Sequence, residues 1–152
     1  MKSLIVYFSW SNNTKNLVES INKFLNFDVV RIEKEIPYSE DYNQCAYVEA
    51  KEEVDKNIHP AIKKMNINVN EYDRILLFFP IWWYTIPMPV ATFVEEYLVN
   101  YKGEVLLFAN SYTNDPQYTE NSLRDLKEIN GSINFKNALF NKSVKEHLKY
   151  LS

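Results

Sequence analysis

The chain has 152 residues, of which 46% are hydrophobic and 24% charged, and its net charge of −3 corresponds to a pI near 5.5. These values are typical of a single globular domain over residues 1–152 and exclude a disordered chain. The mild negative charge favours neither a nucleic-acid-binding nor a membrane-binding protein. The single cysteine, Cys45, predicts a reduced, cytoplasmic setting.

The first half of the chain predicts two strands, each followed by a helix. LIVYF at 4–8 is apolar on both faces and predicts a buried strand. An apolar stripe in LVESINKFL at 17–25, which includes Phe24, predicts a helix. DVVRIE at 28–33 predicts a strand with one less apolar face. A largely solvated helix is expected from about 42 to 57, with the charge run KEEVDK on its outer face.

The second half continues the alternation after a stretch from 58 to 72 that has no clear pattern. ILLFF at 75–79 and VLLFA at 105–109 predict two more buried strands, and INFKNALF at 133–140 predicts a mixed strand. Apolar residues at helical spacing predict three further helices: over 90–98, around Leu123 and Leu126, and over 144–151. His147 lies on the apolar stripe of the last helix, which favours a structural role.

The alternation of strands and helices predicts an α/β fold with a doubly wound, five-stranded parallel sheet. Strands one, three and four are apolar on both faces, whereas strands two and five are mixed and suit the sheet edges. The sheet order 2-1-3-4-5 satisfies this distribution. Its ligand crevice would lie at the carboxyl ends of strands one and three.

The segment FSWSNNTKN carries small amide and hydroxyl side chains between the first strand and the first helix. Unpaired amides at a helix N-terminus can hold a phosphate, and Asn12 or Asn13 can adopt the left-handed backbone of a tight loop. The alternative is that Asn13 or Thr14 only caps the helix. Neither a G-x-x-x-x-G-K-[ST] nor a G-x-G-x-x-G motif occurs in the chain.

Two further loops are expected at the same edge of the sheet. FPIWWYTIPMPV follows the third strand, and NSYTNDPQYT follows the fourth. Aromatic faces stack on planar rings, so the three loops together predict a pocket for a planar, phosphorylated ligand. The alternative is that both tryptophans of the second loop pack onto the sheet as core.

Four stretches carry a family resemblance over nearly the whole chain: YFSWSNNTKN, PYSEDY, YDRILLFFPIWWYTIPMPV and FVEEYLVNYKGEVLLFANS. They resemble the small flavodoxin-like proteins that bind flavin mononucleotide (FMN). The resemblance implies a flavodoxin-like fold with FMN as cofactor. It also implies a set of cofactor-binding residues that comprises Ser9, Trp10, Ser11, Asn12, Asn13, Thr14, Pro80, Trp82, Trp83, Tyr84, Thr85, Asn110, Ser111 and Tyr112.

Within this set, the resemblance assigns the phosphate to the first loop and the isoalloxazine ring to the second and third loops. The family usually has glycine where Asn12 and Tyr84 stand. Tyr84 and Tyr112 either stack on the flavin or fill its place. No metal site is predicted, because the two histidines and one cysteine lack ligand spacing.

Three functions are compatible with these residues. The first is an electron carrier, and the second is an FMN-dependent reductase of a small acceptor such as a quinone, fed by NAD(P)H. The third is an interaction module with the flavodoxin fold that has lost FMN. No side chain is predicted to act as a general acid or base. The expected partners are FMN and either a redox partner or a small-molecule acceptor, without nucleic acid or membrane, and a homodimer is an open alternative.

Overall fold

The computed structural model describes residues 1–152 and contains one five-stranded parallel sheet flanked by helices. The strands are β1 (Ser3–Tyr7), β2 (Asp28–Arg31), β3 (Arg74–Pro80), β4 (Glu104–Asn110) and β5 (Asn134–Phe140). The helices are α1 (Asn13–Leu25), α2 (Lys51–Asp55), α3 (Met88–Tyr97), α4 (Gln117–Ile129) and α5 (Val144–Leu151). The order β2-β1-β3-β4-β5 confirms the predicted topology, with the two mixed strands at the edges.

Two apolar clusters lie on opposite faces of the sheet, which explains why the central strands are apolar at every position. Along β1, Leu4 and Val6 belong to a cluster of 25 buried residues, and Ile5 belongs to a cluster of nine. Helices α3 and α4 cover the larger cluster, and α1 and α5 cover the smaller one. Phe24, expected on the apolar face of α1, is instead 74% exposed.

The connection from β2 to β3 differs most from the prediction. A helix lies where it was predicted, over 42–55, but its residues Gln44–Ala50 form a seven-residue π-helix that continues directly into the short helix α2. Later in this connection, Val69–Glu71 forms a single 3₁₀ turn. The expectation that KEEVDK is solvated is wrong for Glu53, which is only 6% exposed because Lys34 and Tyr38 contact its carboxylate.

The last helix has a complete N-terminal cap. Ser143 accepts a hydrogen bond from the backbone N–H of Glu146, whose carboxylate accepts one from the N–H of Ser143. His147 is 2% exposed, lies 2.7 Å from the Ser143 carbonyl through Nδ1 and stacks on Phe78. These contacts give His147 a role in packing. None of the helices has the length and apolar character needed to cross a bilayer.

Candidate functional site

The loops after β1, β3 and β4 meet at the carboxyl edge of the sheet and form a cleft with two chambers. The polar chamber, of about 270 Å³, is lined by Ser9, Trp10, Ser11, Asn13, Thr14, Tyr42, Pro80, Ile81, Trp82, Asn110, Ser111 and Tyr112. The aromatic chamber, of about 240 Å³, is lined by Trp10, Tyr42, Cys45, Ala46, Tyr47, Ala50, Ile81, Trp82, Trp83, Tyr84, Ser111 and Tyr118. The chambers share five lining residues, so they are neighbours, and no charged residue lines either one.

The first loop leaves a row of backbone amides unpaired. None of the backbone N–H groups of residues 10–14 makes a hydrogen bond within the protein. The next two N–H groups are paired, because Lys15 donates to Ser9 Oγ at 3.3 Å and Asn16 donates to the Asn12 carbonyl at 2.9 Å. Asn12 has a φ of 69°, and this left-handed residue turns the chain into α1.

Helix capping alone does not account for this loop. Asn12 precedes α1 without a side-chain cap, and the first turn of the helix carries no acidic residue. Thr14 donates its hydroxyl to Asn110 Oδ1 at 3.0 Å, which ties the first loop to the third. The unpaired amides and the positive end of the helix dipole form a neutral, preorganised donor set that fits a phosphate group.

The loop after β3 begins with a tight hairpin. Trp82 and Thr85 exchange backbone hydrogen bonds of 2.9 and 3.2 Å, and Trp83 and Tyr84 have φ values of 48° and 71°. Such two-residue turns usually contain Asn-Gly, because both central residues need a positive φ. Here the Trp83 Nε1 donates to the Ala46 carbonyl at 2.8 Å, and the Tyr84 carbonyl accepts from Asn121. These contacts hold two bulky residues in an unfavourable backbone conformation at the aromatic chamber.

The aromatic wall of the cleft consists of rings in edge-to-face contact. The ring centroids of Trp10 and Tyr42 lie 6.1 Å apart, those of Tyr42 and Tyr47 also 6.1 Å, and those of Tyr47 and Trp83 5.4 Å. Tyr84 is 60% exposed and Tyr112 is 96% exposed. Because both side chains extend into solvent, neither one fills the cleft in place of a ring.

No aspartate, glutamate, lysine, arginine or histidine lines the aromatic chamber. Burial raises the pKa of the Cys45 thiol to about 11, so this side chain is a neutral thiol. Behind Trp82, burial and then the hydrogen bond to Glu53 raise the pKa of Tyr38, which also stays neutral. The chamber therefore suits an uncharged, flat group.

The structure brings together most of the predicted cofactor-binding residues. Twelve of the fourteen line the two chambers; the exceptions are Asn12 and Thr85. Asn12 shapes the loop through its backbone. The Thr85 side chain is directed away from the cleft, since it donates to Asp125 Oδ2 at 2.5 Å and lines a separate cavity.

Part of the cleft wall was not predicted from the sequence. The missed lining residues are Tyr42, Cys45, Ala46, Tyr47, Ala50, Ile81 and Tyr118. Tyr42 closes the PYSEDY stretch that supported the family resemblance, so a signal for it was present. No sequence signal marked the lining residues of the π-helix, because a π-helix has no distinctive apolar period.

Comparison with known proteins agrees with this geometry. The flavodoxin family model matches residues 2–151. The chain is 26% identical to a flavoprotein from Lactobacillus acidophilus NCFM in complex with FMN, with a TM-score of 0.80 and 99% of each chain covered. A candidate flavoprotein from Bacteroides eggerthii DSM 20697 is 26% identical with a TM-score of 0.83, over 99% of this chain and 94% of that one.

The apo-form of the Lactobacillus acidophilus flavoprotein gives a TM-score of 0.70 at 26% identity, over 97% of this chain and 96% of that one. No curated protein matches the sequence significantly. The family model covers nearly every residue, and the sheet order and the three converging loops agree with the resemblance. The chain belongs to the flavodoxin family.

Proposed function

We propose that the protein binds FMN in the cleft and uses it in electron transfer. The observation that carries the proposal is the row of unpaired amides at residues 10–14, which opens beside an uncharged aromatic chamber. The phosphate would be held by these amides and by the Ser11 hydroxyl. The ring would lie against the aromatic wall that includes Trp82 and Trp83.

The FMN complex of the related Lactobacillus acidophilus flavoprotein supports this proposal, because that protein matches the chain over its whole length. Bound FMN supplies the chemistry of accepting and returning electrons. The residues of this chain bind and orient it. The apolar lining of the aromatic chamber keeps water from the ring, and the Cys45 thiol, whose pKa is raised to about 11, adds no charge beside it.

The proposed electron acceptor is a small neutral molecule. No charged side chain lines either chamber, so nothing there selects an ionic substrate. A carrier that docks on a protein partner would instead depend on complementary surface charge, and the net charge here is only −3. NAD(P)H oxidation by the FMN-loaded protein, with and without a quinone, separates the two roles. NAD(P)H oxidation that requires the quinone supports the reductase role. If NAD(P)H is not oxidised even with the quinone present, only the role of electron carrier remains.

Fluorescence titration with FMN and with riboflavin tests the binding proposal. Riboflavin has the same ring but no phosphate. It should bind about a hundredfold more weakly, because at least two charge-assisted hydrogen bonds of about 1.5 kcal/mol each are lost. FMN fluorescence that stays unquenched at micromolar protein would refute FMN binding. Equal affinity for the two ligands would refute the assignment of the phosphate to residues 10–14.

A further inference from the structure

Trp82 differs from the other two tryptophans of the cleft in its indole N–H. Trp10 Nε1 donates to the Ser39 carbonyl at 3.1 Å, and Trp83 Nε1 donates to the Ala46 carbonyl at 2.8 Å. Trp82 Nε1 makes no hydrogen bond within the protein. Every fully buried side-chain nitrogen and oxygen has a hydrogen-bond partner, so an unpaired one must reach the surface. The Trp82 N–H is therefore accessible to solvent. Trp82 itself lines both chambers of the cleft.

The Trp82 ring is packed edge-on against two buried rings. Its centroid lies 5.2 Å from that of Phe8 at an interplanar angle of 89°, and 5.3 Å from that of Tyr38 at 69°. Phe8 and Tyr38 are themselves in edge contact at 6.3 Å, so the three rings form a compact unit beneath the cleft. This packing restricts rotation of the indole and fixes the direction of its N–H.

A buried ionic cluster holds Tyr38 in this unit. The Tyr38 hydroxyl donates to one oxygen of Glu53, and Lys34 Nζ lies 2.9 Å from the other oxygen. Lys34 Nζ also lies 4.0 Å above the Tyr38 ring, as a cation–π contact. Glu53 is only 6% exposed. Because a buried ion pair contributes little net stability against its desolvation cost, positioning is a better account of the cluster.

We propose that the Trp82 indole N–H donates a hydrogen bond to FMN in the cleft, and that Tyr38, Glu53 and Lys34 are positioning residues that orient it. This inference rests on the proposed FMN binding and assigns Trp82 a polar role in addition to a stacking one. Of the three indoles that line the cleft, only that of Trp82 is free to donate to a ligand, since those of Trp10 and Trp83 are committed within the protein.

The Trp82→Phe variant removes the N–H and keeps an aromatic ring. We expect FMN to bind about three- to tenfold more weakly, as for the loss of one hydrogen bond. In wild-type protein labelled with ¹⁵N-tryptophan, FMN should slow the exchange of the Trp82 indole proton with solvent. The spectra of Trp10→Phe and Trp83→Phe assign the other two indole resonances and so identify that of Trp82 by elimination. This second readout uses the unmodified protein, so it holds even if the variant folds poorly. An indole proton that exchanges as fast with FMN as without it would overturn the inference.

Tyr38→Phe tests the positioning role, because it keeps the ring and removes the hydroxyl that Glu53 holds. It should weaken FMN binding two- to threefold in the wild-type background and change nothing further in the Trp82→Phe background. The visible absorption bands of bound FMN should shift in Tyr38→Phe in the same direction as in Trp82→Phe. Equal losses in both backgrounds would show that Tyr38 does not act through Trp82.

Tyr101→Phe is the matched control. Tyr101 is a buried tyrosine whose hydroxyl donates to the Tyr72 carbonyl, and it lines neither chamber. Its substitution should leave FMN affinity and the flavin spectrum unchanged. The two proposals fail differently. Wild-type protein that does not quench FMN refutes FMN binding, whereas tight wild-type binding with an unaffected Trp82→Phe variant refutes only the role of the indole.

Discussion

At residue scale, Asn12 shows how an asparagine serves where glycine is the commoner residue. Its φ of 69° lies in the left-handed region, which asparagine tolerates better than other non-glycine residues. Its side chain makes no capping hydrogen bond to α1. The contribution of this residue is therefore the backbone turn that leaves the amides of residues 10–14 unpaired.

Substitution of Asn12 separates its backbone role from its side chain. Asn12→Ala should lower the free energy of unfolding by roughly 1 kcal/mol, since alanine disfavours a positive φ. Asn12→Gly, the control, should be within about 0.5 kcal/mol of wild type because glycine accepts this conformation. Urea denaturation measures both. If the alanine variant is as stable as the glycine variant, a positive φ at residue 12 does not lower the free energy of unfolding.

His147 gives the fold a defined pH dependence. Burial lowers the pKa of His147 below its ordinary 6.5, so the unfolded chain binds this proton more readily than the folded one. Its contribution to stability is complete above about pH 6.5 and is lost as the pH falls below that value. The Ser143 hydrogen bonds lower the pKa of neighbouring Glu146 below 4.5, so Glu146 does not titrate in the same window.

The free energy of unfolding should therefore decrease from pH 7 to pH 5.5, with a slope of at most about 1.4 kcal/mol per pH unit. A His147→Gln variant keeps a side chain that can donate to the Ser143 carbonyl but cannot titrate, and its profile should be flatter. Denaturant melts at four pH values measure both proteins. Parallel profiles for the two proteins would show that His147 is not the group responsible.

At element scale, the predictable and the unpredictable parts of the fold have different physical origins. The order of the strands could be predicted because burial on both faces leaves continuous apolar runs such as Ile75–Phe79. A helix was predicted over about 42–57, but its π form at Gln44–Ala50 was not, because a π-helix has no distinctive apolar period. The burial of Glu53 had no local signal either, since its partners Lys34 and Tyr38 precede it by 19 and 15 residues.

The candidate site likewise has one part that could be predicted from the sequence and one that could not. The first loop was recognisable because its polar side chains follow a buried strand and precede a helix. The direction of a side chain could not be predicted: Thr85 belongs to the predicted second loop, but the hairpin turns it toward Asp125. Local pattern thus located the cleft, whereas its lining depended on the turn geometry at Trp83 and Tyr84.

The contact between the hairpin and the π-helix gives a prediction at this scale. Trp83→Phe removes the 2.8 Å hydrogen bond to the Ala46 carbonyl, and Tyr47 also loses part of its edge contact with that ring. Amide exchange should increase through Gln44–Ala50, with a loss of about 1–2 kcal/mol in the free energy of unfolding. Trp10→Phe, which loses a bond to Ser39 instead, should leave exchange in the π-helix close to wild type.

At the scale of the whole molecule, the sheet brings together segments that are far apart in the chain. Thr14 and Asn110, 96 residues apart, share a hydrogen bond at the cleft because β1 and β4 both flank β3. A ligand that contacts all three loops therefore connects much of the fold. Its binding free energy should appear as stability of the entire chain rather than of one loop.

This linkage predicts the response of the melting temperature to FMN. At a concentration 100 times the dissociation constant, FMN should add about 2.7 kcal/mol to the free energy of unfolding. For a chain of this size, that corresponds to an increase of roughly 5–10 °C, measured by calorimetry. Inorganic phosphate at the same concentration should give a much smaller shift, because it contacts the amides of residues 10–14 but not the aromatic wall. Equal shifts would mean that the aromatic chamber contributes nothing to binding, and no shift with FMN would mean that the cleft does not bind it.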